Sequence, residues 1–165
     1  MADNIYSDGS AFYTPGTTGN DVLVALTGGT QLDAGAGRDN LNGSSGNDVL
    51  TGGKGDDFMW GGAGDDTFLW HSADLGTDGT TVDRVYDFEG AGNIHGDNLV
   101  FYGFGVGSSL TVAGTQSLAG GAVIYKYILN DTATGHSETL YVTSVNGAAL
   151  TTDDYHFYSS VPASI

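Results

Sequence analysis

Cysteine is absent from the 165-residue sequence, and only four residues are basic. The absence of cysteine excludes disulfide bonds and thiolate metal ligands. The sequence also lacks the basic stretch followed by an apolar run that marks a signal peptide, and it has no run long and apolar enough to span a bilayer. We therefore expect no membrane span, and we expect any export to use a different signal.

The four basic residues stand against 20 acidic ones, which gives a formal net charge of −16 at pH 7. Of the acidic residues 18 are aspartate, which indicates short carboxylates held close to turns rather than general surface acidity. A chain with this charge repels a phosphate backbone, so nucleic acid is not an expected partner. The content of 39% hydrophobic and 11% aromatic residues is too high for low-complexity disorder.

A nine-residue repeat runs without a gap from residue 16 to residue 69. Its six blocks read GTTGNDVLV, ALTGGTQLD, AGAGRDNLN, GSSGNDVLT, GGKGDDFMW and GGAGDDTFL. The fourth position is always glycine, the sixth is aspartate in five blocks, and the eighth is always large and apolar. The sixth positions are Asp21, Thr30, Asp39, Asp48, Asp57 and Asp66, and the eighth positions are Leu23, Leu32, Leu41, Leu50, Met59 and Phe68.

Each block combines a turn with a short strand. Glycine in the first four positions allows positive φ and a tight turn, and the last three residues alternate as in an extended strand with the middle one pointing inward. One block cannot bury its apolar residue alone. Two facing blocks form one coil, and stacked coils form two parallel sheets with the eighth positions between them.

The repeat places acidic residues on top of one another at the turns. Like turns recur in every second block, so Asp21, Asp39 and Asp57 fall on one edge and Thr30, Asp48 and Asp66 on the other. Unit charges one strand spacing apart repel by about 3 kcal/mol at an effective dielectric constant of about 20. A calcium ion relieves this repulsion, because it accepts carboxylate and carbonyl oxygens in flexible geometry.

The predicted calcium sites lie between Asp21 and Asp39, between Asp39 and Asp57, and between Asp48 and Asp66, with a weaker edge at Thr30. The predicted side-chain ligands are Asp21, Asp39, Asp48, Asp57 and Asp66. The predicted carbonyl ligands are Gly19, Gly35, Gly37, Gly46, Gly53, Gly55, Gly62 and Gly64. We expect about four to six calcium ions.

These blocks resemble the glycine- and aspartate-rich nonapeptides of RTX proteins, which implies an all-β, right-handed parallel β-roll with calcium in its turns. The later stretches DRVYDF and DNLV are similar to the segment that follows the roll in serralysin-type C-terminal domains and in the R-modules of alginate C5-epimerases. The closing DYHF resembles the last strand of those modules. The resemblance makes Asp83, Asp87 and Asp97 further calcium candidates.

The resemblance also implies a function. It implies a non-catalytic accessory module of a secreted bacterial protein, exported by a type I system without an N-terminal signal peptide. Such a module folds on binding calcium, and it supports the folding, secretion or polysaccharide binding of a neighbouring catalytic domain. The alternatives are a stand-alone calcium-dependent lectin or adhesin, and a small polysaccharide lyase or epimerase.

The remaining sequence predicts two flanking segments around the roll at 16–70. Residues 1–15 are expected to cap one end through Ile5, Tyr6, Phe12 and Tyr13. Residues 71–165 contain short alternating strands separated by Gly, Asn and Asp, which predict an antiparallel sheet that continues and caps the roll within the same structural domain.

Two aromatic residues, Phe58 and Trp60, occupy outward strand positions. They either stack on a sugar ring or are covered by the C-terminal sheet or the N-terminal segment. With only four basic residues, Arg38, Lys54, Arg84 and Lys126, tight binding of a polyanion is not expected unless calcium bridges it.

No recognised catalytic pattern is present. The sequence has no His-Glu-x-x-His zinc motif and no Gly-x-Ser-x-Gly nucleophile elbow. The four histidines follow no ligand spacing. The run Tyr125-Lys126-Tyr127 is compatible with lyase chemistry, but alternating aromatics are more typical of an ordinary strand.

Overall fold

The structure is a computed structural model that describes residues 4–6, 13–92 and 96–159. Within these ranges the chain forms strands and only two short 3-10 turns, Ser72–Asp74 and Ala119–Gly121. The strands are β1 (Asn4–Tyr6), β2 (Tyr13–Thr17), β3 (Val22–Val24), β4 (Gln31–Gly37), β5 (Asn40–Asn42), β6 (Val49–Thr51), β7 (Lys54–Gly55), β8 (Phe58–Trp60), β9 (Thr67–His71), β10 (Val82–Phe88), β11 (Asn98–Tyr102), β12 (Ser109–Ser117), β13 (Val123–Asn130), β14 (Ser137–Ser144) and β15 (Tyr155–Tyr158).

The strands form two sheets whose inner faces share one hydrophobic core. The eight-stranded sheet has the order β1-β3-β5-β8-β10-β14-β13-β12. The seven-stranded sheet has the order β15-β11-β9-β6-β4-β2, with β7 beside β4. No helix in the described part of the chain has the length and apolar character needed to cross a membrane.

The repeat region forms the coil that its period predicts. Val22 pairs with Asn40, and Asn40 with Phe58, along β3, β5 and β8. Gln31 pairs with Val49, and Val49 with Thr67, along β4, β6 and β9. Every one of these pairings is parallel, and each joins a block to the second block after it. The predicted all-β parallel roll is confirmed.

The eighth repeat positions form the centre of the core. Each of the six side chains, from Leu23 to Phe68, is 0% exposed. The core continues into the second half through Val85, Phe88, Leu99 and Phe101. The alternation of buried and half-exposed residues along each short strand follows from the pleat.

The N-terminal residues extend the roll by one strand in each sheet. β1 pairs in parallel with β3, and β2 pairs in parallel with β4. Ile5 packs against the core, whereas Tyr13 is largely exposed and its hydroxyl donates a hydrogen bond to Asp33. The predicted capping contacts of Tyr6 and Phe12 lie outside the described side chains.

The first strands of the C-terminal half continue the parallel coil, and the later strands form a different arrangement. Arg84 pairs in parallel with Phe58, and Asn98 pairs in parallel with Thr67, although more chain separates these partners than a regular coil contains. β14 and β15 add further parallel strands beside β10 and β11. The antiparallel sheet predicted for residues 71–165 is only partly correct. β12, β13 and β14 pair antiparallel, with a hairpin loop between β13 and β14. β10, β11 and β15 pair in parallel instead, because they continue the coil of the roll.

Candidate metal centre

Glycine builds turns that stack closely on the next coil. Gly37, Gly55 and Gly64 have φ values of 145°, 131° and 140°, a region that side chains disfavour. A Cβ on Gly55 would collide with the carbonyl oxygen of Gly37, and one on Gly53 with that of Gly35. The carbonyl groups of successive turns therefore stack along both edges of the roll.

The aspartates of the first edge form a ladder, the first column, which consists of Asp21, Asp39, Asp57 and Asp83. The amide of Asp21 donates to Oδ1 of Asp39 at 2.6 Å, and the amide of Asp39 donates to Oδ1 of Asp57 at 2.9 Å. The amide of Asp57 donates to Oδ1 of Asp83 at 2.8 Å. All four residues are at most 1% exposed.

The opposite edge carries the second column, which consists of Thr30, Asp48, Asp66 and Asp97. The amide of Thr30 donates to Oδ1 of Asp48 at 2.7 Å, and the amide of Asp48 donates to Oδ1 of Asp66 at 2.8 Å. The amide of Asp66 donates to Oδ1 of Asp97 at 2.9 Å. Thr30 contributes no carboxylate, and its hydroxyl donates to the carbonyl oxygen of Thr27.

The second carboxylate oxygen, Oδ2, has a hydrogen-bond partner in some column residues and none in others. Oδ2 of Asp48 accepts a hydrogen bond from the amide of Ser44, and Oδ2 of Asp97 accepts one from the amide of Glu89. Oδ2 of Asp39, Asp57 and Asp66 is buried and has no hydrogen-bond partner among the described residues. Because an unpartnered buried carboxylate oxygen is costly, these three oxygens mark positions suited to a cation.

Glycine at the first position of a block is needed because the carboxylate of the aspartate at the sixth position packs against it. A Cβ on Gly52 would collide with Oδ2 of Asp57, and a Cβ on Gly61 would collide with Oδ2 of Asp66. The unpartnered Oδ2 atoms of Asp57 and Asp66 therefore lie directly against turn backbone. Hard cations such as calcium take oxygen ligands of this mixed kind.

Burial perturbs the acidity of the columns. It raises the pKa of Asp39 and of Asp66 to about 6 and that of Asp97 to about 7. Burial and then repulsion from Asp83 raise the pKa of Asp57 to about 8. Without a counter-ion, the fold therefore disfavours the ionised form of Asp39, Asp57, Asp66 and Asp97.

The three calcium candidates of the second half, Asp83, Asp87 and Asp97, lie in or next to the columns. Asp83 continues the first column and Asp97 the second. Asp87 lies outside both columns and accepts hydrogen bonds from the amides of Gly61 and Gly62, at 2.9 and 3.0 Å. It still raises the pKa values of Asp66 and Asp97 electrostatically, which places it at the second edge.

Sequence reasoning missed several buried acidic residues. Glu138 is 3% exposed, its Oε1 has no partner, and it lies beside Asp83. The alternation of Glu138, Leu140 and Val142 along β14 indicates an inward side chain and could have identified it. The indole of Trp70 donates to Oδ2 of Asp83 at 2.7 Å, a contact that carries no signal in the sequence.

Asp131 and Asp154 are buried acids of another kind. Asp131 accepts hydrogen bonds from Ser72, Gly105 and Thr134, among others, and Asp154 accepts from Gly92 and Thr151. Burial alone would raise the pKa of Asp131, but these hydrogen bonds hold it below its usual range. Both carboxylate oxygens of Asp131, and Oδ2 of Asp154, thus accept hydrogen bonds from the chain itself.

The described residues contain no group of three or more His, Cys, Asp or Glu side chains arranged as a metal site. Sites of the predicted kind do not need such a group, because carbonyl oxygens supply most of their ligands. The donors at each turn are carboxylate and carbonyl oxygens, which fit calcium and do not fit zinc.

A family model described as RTX calcium-binding nonapeptide repeat (4 copies) matches residues 32–68. This part of the chain forms an RTX-type β-roll. The matched residues include Asp39, Asp48, Asp57 and Asp66. The resemblance drawn from the glycine and aspartate columns is thereby confirmed.

Nearly the whole chain is similar to a solved structure, the solution structure of the AlgE6R2 subunit from the Azotobacter vinelandii mannuronan C5-epimerase. The two are 29% identical, the match covers 90% of this chain and 94% of that chain, and the TM-score is 0.59. No curated protein matches the sequence.

Phe58 and Trp60 lie on the outer face of the eight-stranded sheet and are half-buried. The ring of Trp60 stacks on Tyr86 at 4.5 Å, and Phe58 lies between the guanidinium groups of Arg38 and Arg84 at 4.7 and 5.3 Å. Within the described part of the chain, neighbours in the same sheet cover them. A sugar-binding role for them stays a prediction.

The run Tyr125-Lys126-Tyr127 does not form one site. The ring of Tyr127 is buried in the core, and Tyr125 packs against that core. Lys126 points to the opposite side of the sheet, as the alternation of a strand requires. The separation of the tyrosines from the lysine gives no support to the lyase interpretation.

Proposed function

We propose that this chain is a non-catalytic module that folds when calcium occupies the turns of its RTX roll. The observation that carries the proposal is the set of unpartnered, buried Oδ2 atoms of Asp39, Asp57 and Asp66. Three such buried atoms are energetically costly without a cation and are suited to ligation with one.

The residues of the roll would act together in calcium binding. The column carboxylates, Asp21, Asp39, Asp48, Asp57 and Asp66, would provide negative charge. The carbonyl groups of Gly19, Gly35, Gly37, Gly46, Gly53, Gly55, Gly62 and Gly64 would provide neutral oxygens. Asp83, Asp87 and Asp97 would extend the sites into the second half. About four to six bound ions would then neutralise about 8 to 12 of the negative charges.

Calcium binding would be coupled to folding, because the turns do not exist in the unfolded chain. At low calcium concentration, repulsion between stacked carboxylates would keep the chain unfolded, a state suited to export by a type I system. At the higher calcium concentration outside the cell, the roll would form. The module would then support the folding of an attached enzyme and hold it near a polysaccharide.

The similarity to a subunit of a mannuronan C5-epimerase supports this assignment to a modular extracellular enzyme. That similarity covers nearly all of both chains, so it extends beyond the nonapeptides to the β10–β15 region. The proposed partners are therefore calcium, a polysaccharide and a neighbouring catalytic domain.

A calcium titration of the isolated chain, followed by far-UV circular dichroism, tests the proposal. We expect disorder in chelator and a cooperative gain of β-structure between sub-millimolar and millimolar calcium. Magnesium at the same concentrations should not substitute, because it requires a tighter octahedral geometry. A chain that is fully folded in chelator and does not respond to calcium would overturn the proposal.

A further inference from the structure

Glu138 is a buried glutamate in β14, the strand that joins the parallel coil to the antiparallel hairpin. It is 3% exposed, and its Oε1 atom has no hydrogen-bond partner among the described residues. The other glutamate of the chain, Glu89, is exposed. A buried carboxylate oxygen that has lost its water and gained no partner is costly. Oε1 of Glu138 is therefore a position at which a ligand is expected.

Glu138 contacts Asp83, the last carboxylate of the first column. The Glu138 carboxyl, as the protonated partner, donates a hydrogen bond to the side chain of Asp83. Asp83 also accepts hydrogen bonds from the amide of Asp57 at 2.8 Å and from the indole of Trp70 at 2.7 Å. Two buried carboxyl groups in contact cannot both be ionised without a cation between them. The pair therefore holds either a shared proton or a metal ion.

Thr81 brings a third buried oxygen to the same place. It precedes β10, and its carbonyl oxygen accepts a hydrogen bond of 3.2 Å from the amide of the residue that follows Glu138. Its Oγ1 is buried and has no partner in the part of the chain that the structure describes. A Cβ on Gly76 would clash with this hydroxyl, as a Cβ on Gly52 would clash with Oδ2 of Asp57. The loop before β10 thus packs against Thr81 as a turn of the roll packs against its aspartate.

Two further aspartates add negative charge around these oxygens. Asp56 and Asp57 both act electrostatically on Glu138. Arg84 is the basic residue nearest to Asp83 in the sequence, but its guanidinium lies over two aromatic rings of the outer face. The negative charge of the cluster is therefore not neutralised by Arg84, and a cation would relieve the repulsion.

We propose that Glu138, Thr81 and Asp83 hold a calcium ion at the junction between the roll and the C-terminal sheet. The inference rests on the proposed function, in which the chain binds calcium, and it adds a site outside the nonapeptide turns. Its donors are two carboxylates and one hydroxyl, and backbone carbonyl groups and water would complete the set of oxygens that calcium requires. The site needs no group of three acidic side chains, in agreement with their absence from the described residues.

This ion would attach the C-terminal sheet to the roll. Glu138 belongs to β14, and β13 and β12 follow β14 in the same sheet. Asp83 belongs to β10, which continues the first column. Calcium bound between these two strands would therefore stabilise the hairpin region together with the nonapeptide turns. A shared proton in place of the ion would leave the hairpin region independent of calcium.

The number of calcium ions bound to the full chain distinguishes an ion from a proton. Glu138→Gln removes the charge, but its amide can still donate to Asp83 as the protonated glutamate does. If an ion is bound, equilibrium dialysis should show about one ion fewer per chain than in the wild type. If a proton is shared, the number should not change, and that result would overturn the proposal.

Glu89→Gln is the matched control, because it makes the same substitution at the other glutamate, which is exposed. The number of bound calcium ions should equal that of the wild type. Loss of an ion in both Glu89→Gln and Glu138→Gln would indicate a response to total charge, and it would overturn the assignment of a site at Glu138.

Trp70 provides a local readout, because its indole donates to Asp83. In a Trp60→Phe background Trp70 is the only tryptophan, and terbium(III) serves as the probe because it accepts the same oxygen ligands as calcium. We expect terbium luminescence sensitised by Trp70 in this background. Addition of Glu138→Gln should reduce the luminescence at saturating terbium at least about twofold, since the ion nearest to Trp70 is lost. Unchanged luminescence would contradict the proposal.

Thr81 variants test the hydroxyl ligand without a change of charge. Thr81→Val removes only the oxygen, so the affinity for this ion should fall about threefold to tenfold. Thr81→Ser retains the hydroxyl and should bind calcium as the wild type does. Equal weakening in the two variants would show an effect of packing, and it would overturn the role of Thr81.

Calcium titrations by circular dichroism separate this inference from the proposed function. A wild-type chain that binds no calcium would contradict both. A wild-type chain that folds on calcium, together with a Glu138→Gln variant that binds the same number of ions, would contradict the junction site alone. We expect Glu138→Gln to form the roll in calcium and to bind fewer ions.

Discussion

The backbone amide of Asp57 donates a hydrogen bond of 2.8 Å to Oδ1 of Asp83, 26 residues further along the chain. The same bond joins Asp39 to Asp57 within the regular repeat. The ladder of carboxylates therefore continues beyond the last regular nonapeptide. A longer loop enters the coil between Asp57 and Asp83, yet the strands on either side remain in parallel register.

Replacement of Asp66 by Asn should separate the two roles of the carboxylate. Asn can keep the hydrogen bond from the amide of Asp48, but it removes the buried negative charge. We expect the calcium-free chain to be at least as stable as the wild type, and the calcium midpoint to rise about tenfold because a charged ligand is lost. Calcium titration by circular dichroism measures both.

The neighbouring residue provides the matched control. Asp65 is exposed and lies outside the columns, so Asp65→Asn should leave the midpoint within about a factor of two of the wild-type value. Equal shifts in the two variants would indicate a response to total charge rather than a site at Asp66.

The calcium-free fold should become more stable as the pH falls. Burial raises the pKa of Asp39 and of Asp66 to about 6 and that of Asp97 to about 7. In the unfolded chain an aspartate has a pKa of about 4. The native state binds protons more tightly than the unfolded state in this interval. Its free energy of unfolding therefore increases from about pH 7 towards pH 4 and decreases again as the pH rises.

Far-UV circular dichroism of calcium-depleted protein at about pH 5 and about pH 7.5, on either side of the raised pKa values, measures this effect. The β-structure signal should be larger at the lower pH. With calcium present, protons compete for the same carboxylates, so the calcium midpoint should increase at the lower pH. A calcium-free β-structure signal that falls on acidification would contradict the predicted burial of ionisable columns.

The nonapeptide sequence predicts the first part of the fold in detail, because its period fixes both register and side-chain direction. Leu23, Leu41 and Met59 are buried and stacked as a coil of two blocks requires. Beyond residue 70 the chain between paired strands lengthens unevenly, so periodicity no longer places Asp83 and Asp97. Only the resemblance to related modules identified those two as candidates.

Other features depend on tertiary contacts that no local pattern encodes. The hydroxyl of Ser72 donates a hydrogen bond to Asp131, 59 residues further along the chain. The amide of Gly105 donates to the same carboxylate, so segments that are distant in sequence converge on it. Arg84 and Lys126 lie in the same sheet only because β14 pairs with both β10 and β13.

Introduction of aspartate at Thr30 should extend the second column. The Thr30 amide already donates to Oδ1 of Asp48, so the backbone has the geometry of the other ladder positions. We expect Thr30→Asp to destabilise the calcium-free chain by about 1 to 3 kcal/mol through carboxylate repulsion and the loss of the hydroxyl bond to Thr27. Calcium should then restore more stability than it does in the wild type.

Equilibrium dialysis with calcium provides the decisive readout for this variant. The bound stoichiometry should increase relative to the wild type. Thr30→Asn, which has the same shape as the aspartate without its charge, should lose the hydroxyl bond but bind no additional calcium. If Thr30→Asp and Thr30→Asn bind equal amounts, the Thr30 edge is not an incomplete calcium site.

Asp131→Asn should destabilise the chain without altering its calcium response. Oδ1 of Asp131 accepts from the amides of Gly105 and Ala133, and Oδ2 accepts from the hydroxyls of Ser72 and Thr134. In Asn an NH₂ group replaces one carboxylate oxygen, and this group faces hydrogen-bond donors instead of accepting from them. We therefore expect the free energy of unfolding to fall by about 2 kcal/mol. Thermal unfolding in saturating calcium measures it, with Asp153→Asn at an exposed position as the control. A changed calcium midpoint would instead indicate that Asp131 contributes to a calcium site.

Gly55→Ala tests the close stacking of the turns on which carbonyl ligation depends. Gly55 has a φ of 131°, and a Cβ there would collide with the carbonyl oxygen of Gly37. Both the backbone strain and the collision act on one turn. We therefore expect the free energy of unfolding to fall by more than about 3 kcal/mol, and the calcium titration no longer to reach the wild-type signal.

Gly29→Ala is the matched control, because Gly29 has a φ of 75° and open space around it. It should cost only about 1 kcal/mol and leave the calcium midpoint nearly unchanged. Similar behaviour of the two variants would show that backbone conformation, and not contact between successive turns, limits the formation of the roll.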